Sequence, residues 1–397
     1  MTSYTLALLP GDGIGRDVML EAEKVLNLVE KLTPLSFESN KIPCGGQHYL
    51  DTGEEWPEGS FEFCRDEADA ILLGAVGWPG AVTESGDLAG GAVILGIRSG
   101  LDLYANVRPI RLYEGILHNI HGEFSQVWKP GMVDMLIVRE NTEGLYHSLL
   151  RRSADKAQGR DVWNPGPMDF PGLEGEEVAW DPRPISRKGS ERVFRYAFEA
   201  AQRRNGAPRD GTSRVTCVDK SNVTRGCQLF NRIYHEIAED YPDVETDHAY
   251  IDAFCMWAVR NPEWFDVVVT TNMFGDISTD LASVLQGGMG FAASANLGDE
   301  HGMFEPVHGS APKYTGMNKT NPMAMINSVA LMFDWLGDSN GDEDCKAVSN
   351  FIDQAVIEVL KGDILTYDLG GTAGTTDVGD AIVGVLETLL RKHFAVA

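Results

Sequence analysis

Two rhythms of apolar positions alternate along this chain. Tyr4–Leu9 is a short apolar run that reads as a buried strand. It passes through Pro10-Gly11-Asp12-Gly13-Ile14-Gly15 into a helical pattern from about Asp17 to Lys31, with Leu20, Lys24 and Leu28, and Val25, Leu28 and Leu32, at helical spacing. Ala70–Leu73, Met135–Val138, Val215–Val218 and Val267–Thr271 repeat the strand signal, and glycine or polar residues follow each. Helical spacing fills the intervals. Ser190 is placed to cap a helix through Arg204 with Val193, Phe194, Ala197, Phe198 and Ala201 on one face; the last helix begins near Thr376-Asp377 and carries Ile382, Val383, Leu386, Leu389 and Leu390. Strands alternating with helices predict an α/β fold, in which ligands gather beyond the carboxyl ends of strands. The stretch 151–187 breaks the rhythm. Rich in proline, glycine and charge, it predicts an excursion or an arm between subunits.

Composition narrows the partners. The 397 residues are enough for two domains, and 59 acidic against 33 basic residues give a formal net charge of −26. That surface disfavours nucleic acid and anionic membranes, whereas a local arginine cluster still takes a small anion. No run approaches the roughly 18 apolar residues of a membrane span, and the first residues lack the pattern of a secretory signal. The 6 cysteines form no CxxC pair and read as reduced core thiols of a cytoplasmic protein, not as a zinc site.

Candidate chemistry sits at the strand ends. Arg98, Arg108 and Arg139 each adjoin an apolar run, where a guanidinium must find an anion or face water. Three of them suit a substrate with two carboxylates, which guanidinium grips in a bidentate fork; internal salt bridges are the competing reading. Asp276 and Asp280 lie in the run from Asn272 to Asp280. On a helix their spacing puts both carboxylates on one face, where mutual repulsion favours a divalent cation. With Asp252 they make an all-oxygen set suited to Mg2+ or Mn2+; stabilisation by a helix N-terminus is the alternative. Lys220 ends a strand and Tyr146 follows the one bearing Arg139, so both are candidate acid–base groups, or structural residues. The turn at 11–15 is spaced GxGxG, not GxGxxG, and reads either as a ligand loop or as a tight structural turn.

Together these segments resemble the isocitrate/isopropylmalate dehydrogenase family of metal-dependent β-hydroxyacid oxidative decarboxylases. The resemblance runs through Leu9 to Gly15, Arg98 to Pro109, Val138 to Tyr146, Val218-Asp219-Lys220, Tyr250 to Ala253, Asn272 to Asp280, Phe304 to Pro312, Asn321-Pro322 and Gly370 to Thr375, in order over nearly the whole chain. It implies an α/β fold that is not a Rossmann domain. A large cofactor domain would comprise residues 1–103 and 287–397, and a central substrate, metal and dimerisation domain residues 104–286, with the 151–187 arm inserted. It implies that Arg98, Arg108 and Arg139 hold the malate carboxylates, and that Asp252, Asp276 and Asp280 hold Mg2+ or Mn2+. It further implies that Lys220 serves the hydroxyl proton, that Tyr146 protonates the product carbon, and that Asp252 and Lys220 come from the other subunit of a homodimer.

The resemblance also implies that NAD or NADP lies along Gly74, Glu305, His308, Gly309, Ser310, Ala311 and Asn321. Lys313 stands where NAD-using members commonly carry an acidic residue; with Tyr314 and Tyr367 it favours the 2′-phosphate of NADP, although the arginine that accompanies that tyrosine is replaced by Gly371. Isocitrate enzymes place Ser and Asn where Ala92 and Ile94 stand, so an apolar C3 substituent is expected, as in 3-isopropylmalate. D-malate, tartrate, isocitrate, homoisocitrate, a specialised 3-substituted malate and a non-catalytic regulatory homologue are the alternatives.

Overall fold

The computed structural model describes residues 2–160 and 170–394. The strands are β1 (Thr2–Leu9), β2 (Leu35–Lys41), β3 (Ala70–Leu73), β4 (Ala105–Arg111), β5 (His118–Ile120), β6 (Glu123–Ser125), β7 (Asp134–Glu140), β8 (Arg214–Asp219), β9 (Glu245–Tyr250), β10 (Val267–Thr270), β11 (Ala293–Leu297) and β12 (Gly302–Pro306). All but the β5–β6 hairpin join one sheet, in the order β2-β1-β3-β12-β11-β4-β7-β10-β8-β9. The first four and the last four strands pair in parallel. Antiparallel pairing runs through the centre, from β12 to β11 to β4 to β7.

The helices are α1 (Ile14–Leu32), α2 (Gly46–Thr52), α3 (Ser60–Asp66), α4 (Gly91–Gly100), α5 (His147–Ala157), α6 (Arg187–Arg203), α7 (Arg225–Ala238), α8 (Ile251–Arg260), α9 (Asn272–Ser283), α10 (Met323–Asn340), α11 (Glu343–Leu360) and α12 (Thr375–Phe394). Strand alternation decides what each one packs against. On β1, Leu6 and Leu8 join the main core with Val18, Val25 and Val29 of α1, whereas Ala7 and Leu9 join a second core with Phe61, Val93 and Ile97. The sheet is thereby covered on both faces, which is why the inner strands β3 and β10 are continuous apolar runs, whereas the edge strands β2 and β9 are polar and largely open to solvent.

Two expectations change, and the structure favours one of two readings left open for a third feature. The α6 cap is Ser186, whose hydroxyl accepts from the Gly189 N–H at 2.9 Å; Ser190 lies inside the helix and donates to the Ser186 carbonyl at 2.7 Å. Residues 151–157, assigned to the arm, belong to α5, whose apolar Leu150 and Ala154 are buried. Residues 161–169 of that arm lie outside the described residues. The 11–15 turn is the third. Gly11 and Gly13 take positive φ, as such a turn requires, but the turn's own Asp12 fills its inside. Asp12 is fully buried and accepts from the backbone N–H groups of Gly46, Gln47 and Gly77 at 2.7, 2.8 and 2.8 Å. Asp12→Ala orphans one buried and two half-buried donors and is expected to lower stability by about 3 kcal/mol, read as a shift in the urea midpoint.

Candidate active site

The polar residues of the site lie on one face of the antiparallel centre. On β4, Asn106 and Arg108 are two apart; Asn296 of β11 and Arg139 of β7 are in register with Asn106, and Glu305 of β12 with Ser294 of β11. These side chains therefore lie on the face of the sheet and not beyond strand ends, where the glycines after β3 stand. The Asn106 amide donates to Ser294 and Asn296 at 2.9 and 2.7 Å, and its oxygen accepts from Arg108 Nε at 2.8 Å. Asn296 in turn donates to Glu305 Oε1 at 2.8 Å. Sequence reasoning assigned no role to Asn106 or Asn296. The signal was present: an amide inside an otherwise apolar strand must have a partner.

All three expected arginines meet here. Arg98, Arg108 and Arg139 are 8%, 5% and 1% exposed. Burial together with the neighbouring arginines holds Arg108 below the ordinary guanidinium range and brings Arg139 down to about 10. Arg98 pairs with Glu305 at 2.5 Å. Arg108 Nη1 donates to Thr279. Arg139 donates to Asp276 and, at 2.7 Å, to Asn272. The Nε atoms of Arg98 and Arg139 are buried without a partner. Three crowded guanidinium groups with unused donors form a receptor for anionic oxygens.

Facing them, α9 holds Asp276 and Asp280 one turn apart, as the spacing predicted. Burial would raise Asp276, but Arg139, Arg108 and a hydrogen bond from the Tyr146 hydroxyl, at 2.9 Å, keep it below the usual carboxylate range. Burial raises Asp280, whose nearest cation is Arg108 Nη1 at 3.8 Å. Tyr146 sits in the short turn Gly144–Tyr146 after β7; burial and Asp276 push its phenol upward, so it stays protonated. A cavity of about 510 Å³ is lined by the three arginines, Tyr146, Asp276 and Glu305, and apolar walls come from Ile94, Leu95 and Leu149. Ala92 is buried and takes no part in that wall.

Lys220 and Asp252 lie elsewhere, paired with each other at 2.5 Å; the Asp252 side chain is 68% exposed and neither residue lines the cavity. Among the described residues, no three His, Cys, Asp or Glu side chains are assembled as a metal cluster within one chain. The donor chemistry still fits a hard divalent cation. Two carboxylates, Asp276 and Asp280, stand one turn apart, and a third, Asp252, is exposed.

The other expected cofactor residues divide. Gly74, His308 and Gly309 line the same cavity. His308 is held neutral by burial, and its Nε2 is buried without a partner. Ser310 is occupied internally, donating to Gly77 O at 2.5 Å, and Ala311 takes a left-handed φ of 34° that turns the chain into Pro312–Tyr314. Asn321 is engaged at both ends of its amide, with Asp368 at 3.1 Å and the Met323 N–H at 2.9 Å. Lys313 and Tyr314 stand near Tyr367. The two rings are 6.0 Å apart, Lys313 Nζ is 4.7 Å from the Tyr314 ring, and Lys319, absent from the expected set, lies 4.5 Å from the Tyr367 ring.

A buried arginine trio opposite paired carboxylates and a protonated tyrosine is chemically suited to a small dicarboxylate and a divalent cation. The chain belongs to the isocitrate/isopropylmalate dehydrogenase family, which it matches over residues 5–382. The family comprises nicotinamide-linked, divalent-metal-dependent enzymes that act on a CH–OH group. The 3-isopropylmalate/3-methylmalate dehydrogenase of Methanocaldococcus jannaschii is 37% identical over 96% of this chain and 98% of its own. The homoisocitrate dehydrogenase of the same organism is 37% identical over 98% of this chain and 99% of its own. A crystal structure of isocitrate dehydrogenase from Methylococcus capsulatus superposes with a TM-score of 0.77 at 33% identity, covering 97% of this chain and 99% of that one. No helix among the described residues is long and apolar enough to cross a membrane.

Proposed function

We propose that this protein oxidatively decarboxylates a 3-substituted (R)-malate with an apolar substituent, of the 3-isopropylmalate type. One observation carries the reading: the arginine trio shares its cavity with an apolar wall of Ile94, Leu95 and Leu149. The arginines supply a grip for two carboxylates, but the wall offers nothing to a third, which would be buried unpaired. D-malate and tartrate lack the group that would fill it.

Arg98, Arg108 and Arg139 orient the substrate, and Glu305 and Asn106 fix two of those guanidinium groups beforehand. A divalent cation held by Asp276, Asp280 and the partner subunit's Asp252 would polarise the hydroxyl and then the carbonyl, and a nicotinamide along Gly74 and His308 would accept the hydride. The partner subunit's Lys220 takes the hydroxyl proton. Tyr146, kept protonated beside Asp276, delivers one to the carbon that loses CO2. This assignment makes the protein a homodimer with shared sites. Its cofactor domain combines residues 1–103 and 287–397, and residues 104–286 form the substrate, metal and dimer domain.

NADP is the favoured cofactor and Mg2+ or Mn2+ the metal. Lys313 and Lys319, set over two tyrosine rings, are cations suited to a 2′-phosphate and give nothing that would accept from a ribose diol. Lys313→Asp is expected to shift the NADP/NAD ratio of kcat/KM toward NAD by about tenfold or more, measured by steady-state kinetics with each cofactor. The reaction itself is tested by stoichiometry. One reduced nicotinamide and one CO2 per 3-isopropylmalate, abolished by chelator and restored by Mn2+, support the reading. Reduction without CO2 release contradicts it.

A further inference from the structure

The apolar wall is held in place by a residue distant from it in sequence. On α4, Gly91, Ile94, Leu95 and Arg98 face the cavity, while Val93 and Ile97 are buried in the second core. The helix begins at Gly90, which has a left-handed φ of 109° and no side chain with which to cap the first turn. Glu55 takes over that task from the segment between α2 and α3. Its side chain is 4% exposed, and Oε2 accepts from the backbone N–H groups of Gly90 and Ala92 at 2.6 and 2.9 Å. A carboxylate at the first turn of a helix satisfies orphan donors and meets the positive end of the dipole.

The other oxygen of Glu55 reaches α5, the helix that carries Leu149. Lys156, in the last turn of α5, donates to Oε1 at 2.5 Å. That helix follows directly on Tyr146 and puts Leu149 into the cavity. The two helices pack closely because position 96 is glycine: a Cβ there would stand 3.3 Å from both the Ser153 carbonyl oxygen and the Ala157 methyl. One carboxylate thus joins the helix bearing Ile94 and Arg98 to the helix that continues from Tyr146. We infer that Glu55 is a positioning residue for substrate specificity, which sets how the helix bearing Ile94 sits against the helix bearing Leu149 and thereby the apolar gap open to the C3 substituent.

The inference rests on the proposed substrate class and is tested by comparing two substrates. In Glu55→Ala, kcat/KM for 3-isopropylmalate is expected to fall about tenfold more than that for D-malate, chiefly through KM, because only the substituted substrate uses the apolar gap. Glu55→Gln keeps an oxygen for both N–H groups but turns a donor toward Lys156, and is expected to restore only part of the ratio. Hydrogen exchange reads the same contact without turnover: the Gly90 and Ala92 amides should lose protection in Glu55→Ala and keep it in Glu55→Gln. Equal losses on both substrates, or unchanged exchange at those amides, overturn the role of Glu55. A wild-type enzyme that turns over neither substrate refutes the functional reading instead, and the exchange result then decides whether Glu55 positions the helix.

Discussion

Asp276→Asn is expected to lower kcat/KM by about 10³-fold with little loss of folded protein, measured by steady-state kinetics at saturating metal alongside a thermal melt. Three effects coincide at this carboxylate. It is the anion bonded by Arg139, it accepts from the Tyr146 hydroxyl, and with Asp280 it makes the oxygen pair suited to a cation. An amide keeps the volume and one acceptor but removes the charge. Arg139 is then left crowded by Arg108 and Arg98 with no carboxylate beside it. The metal concentration needed for half activity is expected to rise with the loss of rate. A normal metal requirement at full turnover would remove Asp276 from the reaction.

Lys220→Ala is the second large effect expected, on the order of 10³-fold in kcat, because under the proposed mechanism the proton of the substrate hydroxyl loses its acceptor. Its position allows a sharper test. Lys220 and its partner Asp252 stand away from the cavity that holds Tyr146 and Asp276. If each site takes Lys220 from the partner subunit, a heterodimer of Lys220→Ala with Asp276→Asn contains one site with both residues intact. Mixed and refolded inactive variants are therefore expected to recover a substantial part of wild-type activity, whereas either variant alone recovers none. No recovery in a verified heterodimer would place both residues in one chain's site.

Much of the site was legible because its chemistry departs from its surroundings. Arginines next to apolar runs, at Arg98, Arg108 and Arg139, had to find anions, and the four-residue spacing of Asp276 and Asp280 required one helical face. Both readings survive in the geometry. The strands were found wherever they are continuously apolar, as in Ala70–Leu73 and Val267–Thr270. What escaped was set by contacts distant in sequence. The antiparallel centre that brings Glu305 to Arg98 joins residues 207 apart, and no local pattern records it. Glu55 reads as one more acid in a polar loop until Gly90 and Ala92 are seen above it. Ser190 resembled a cap because a serine opened the apolar pattern, yet Ser186, one turn earlier, holds the free N–H. Ser310 and Asn321 lie within the matching family runs, but their side chains are directed into the protein's own framework.

The substrate class follows from one contrast, three buried guanidinium groups beside a wall without polar atoms, and a single kinetic panel tests it. 3-Isopropylmalate, isocitrate, homoisocitrate, D-malate and tartrate are each to be assayed with Mn2+ and with NAD and NADP, following reduced nicotinamide. The highest kcat/KM is expected for 3-isopropylmalate, with isocitrate lower by about 10²-fold or more because its third carboxylate meets Ile94 and Leu95 unpaired. Isocitrate as the preferred substrate would contradict the account.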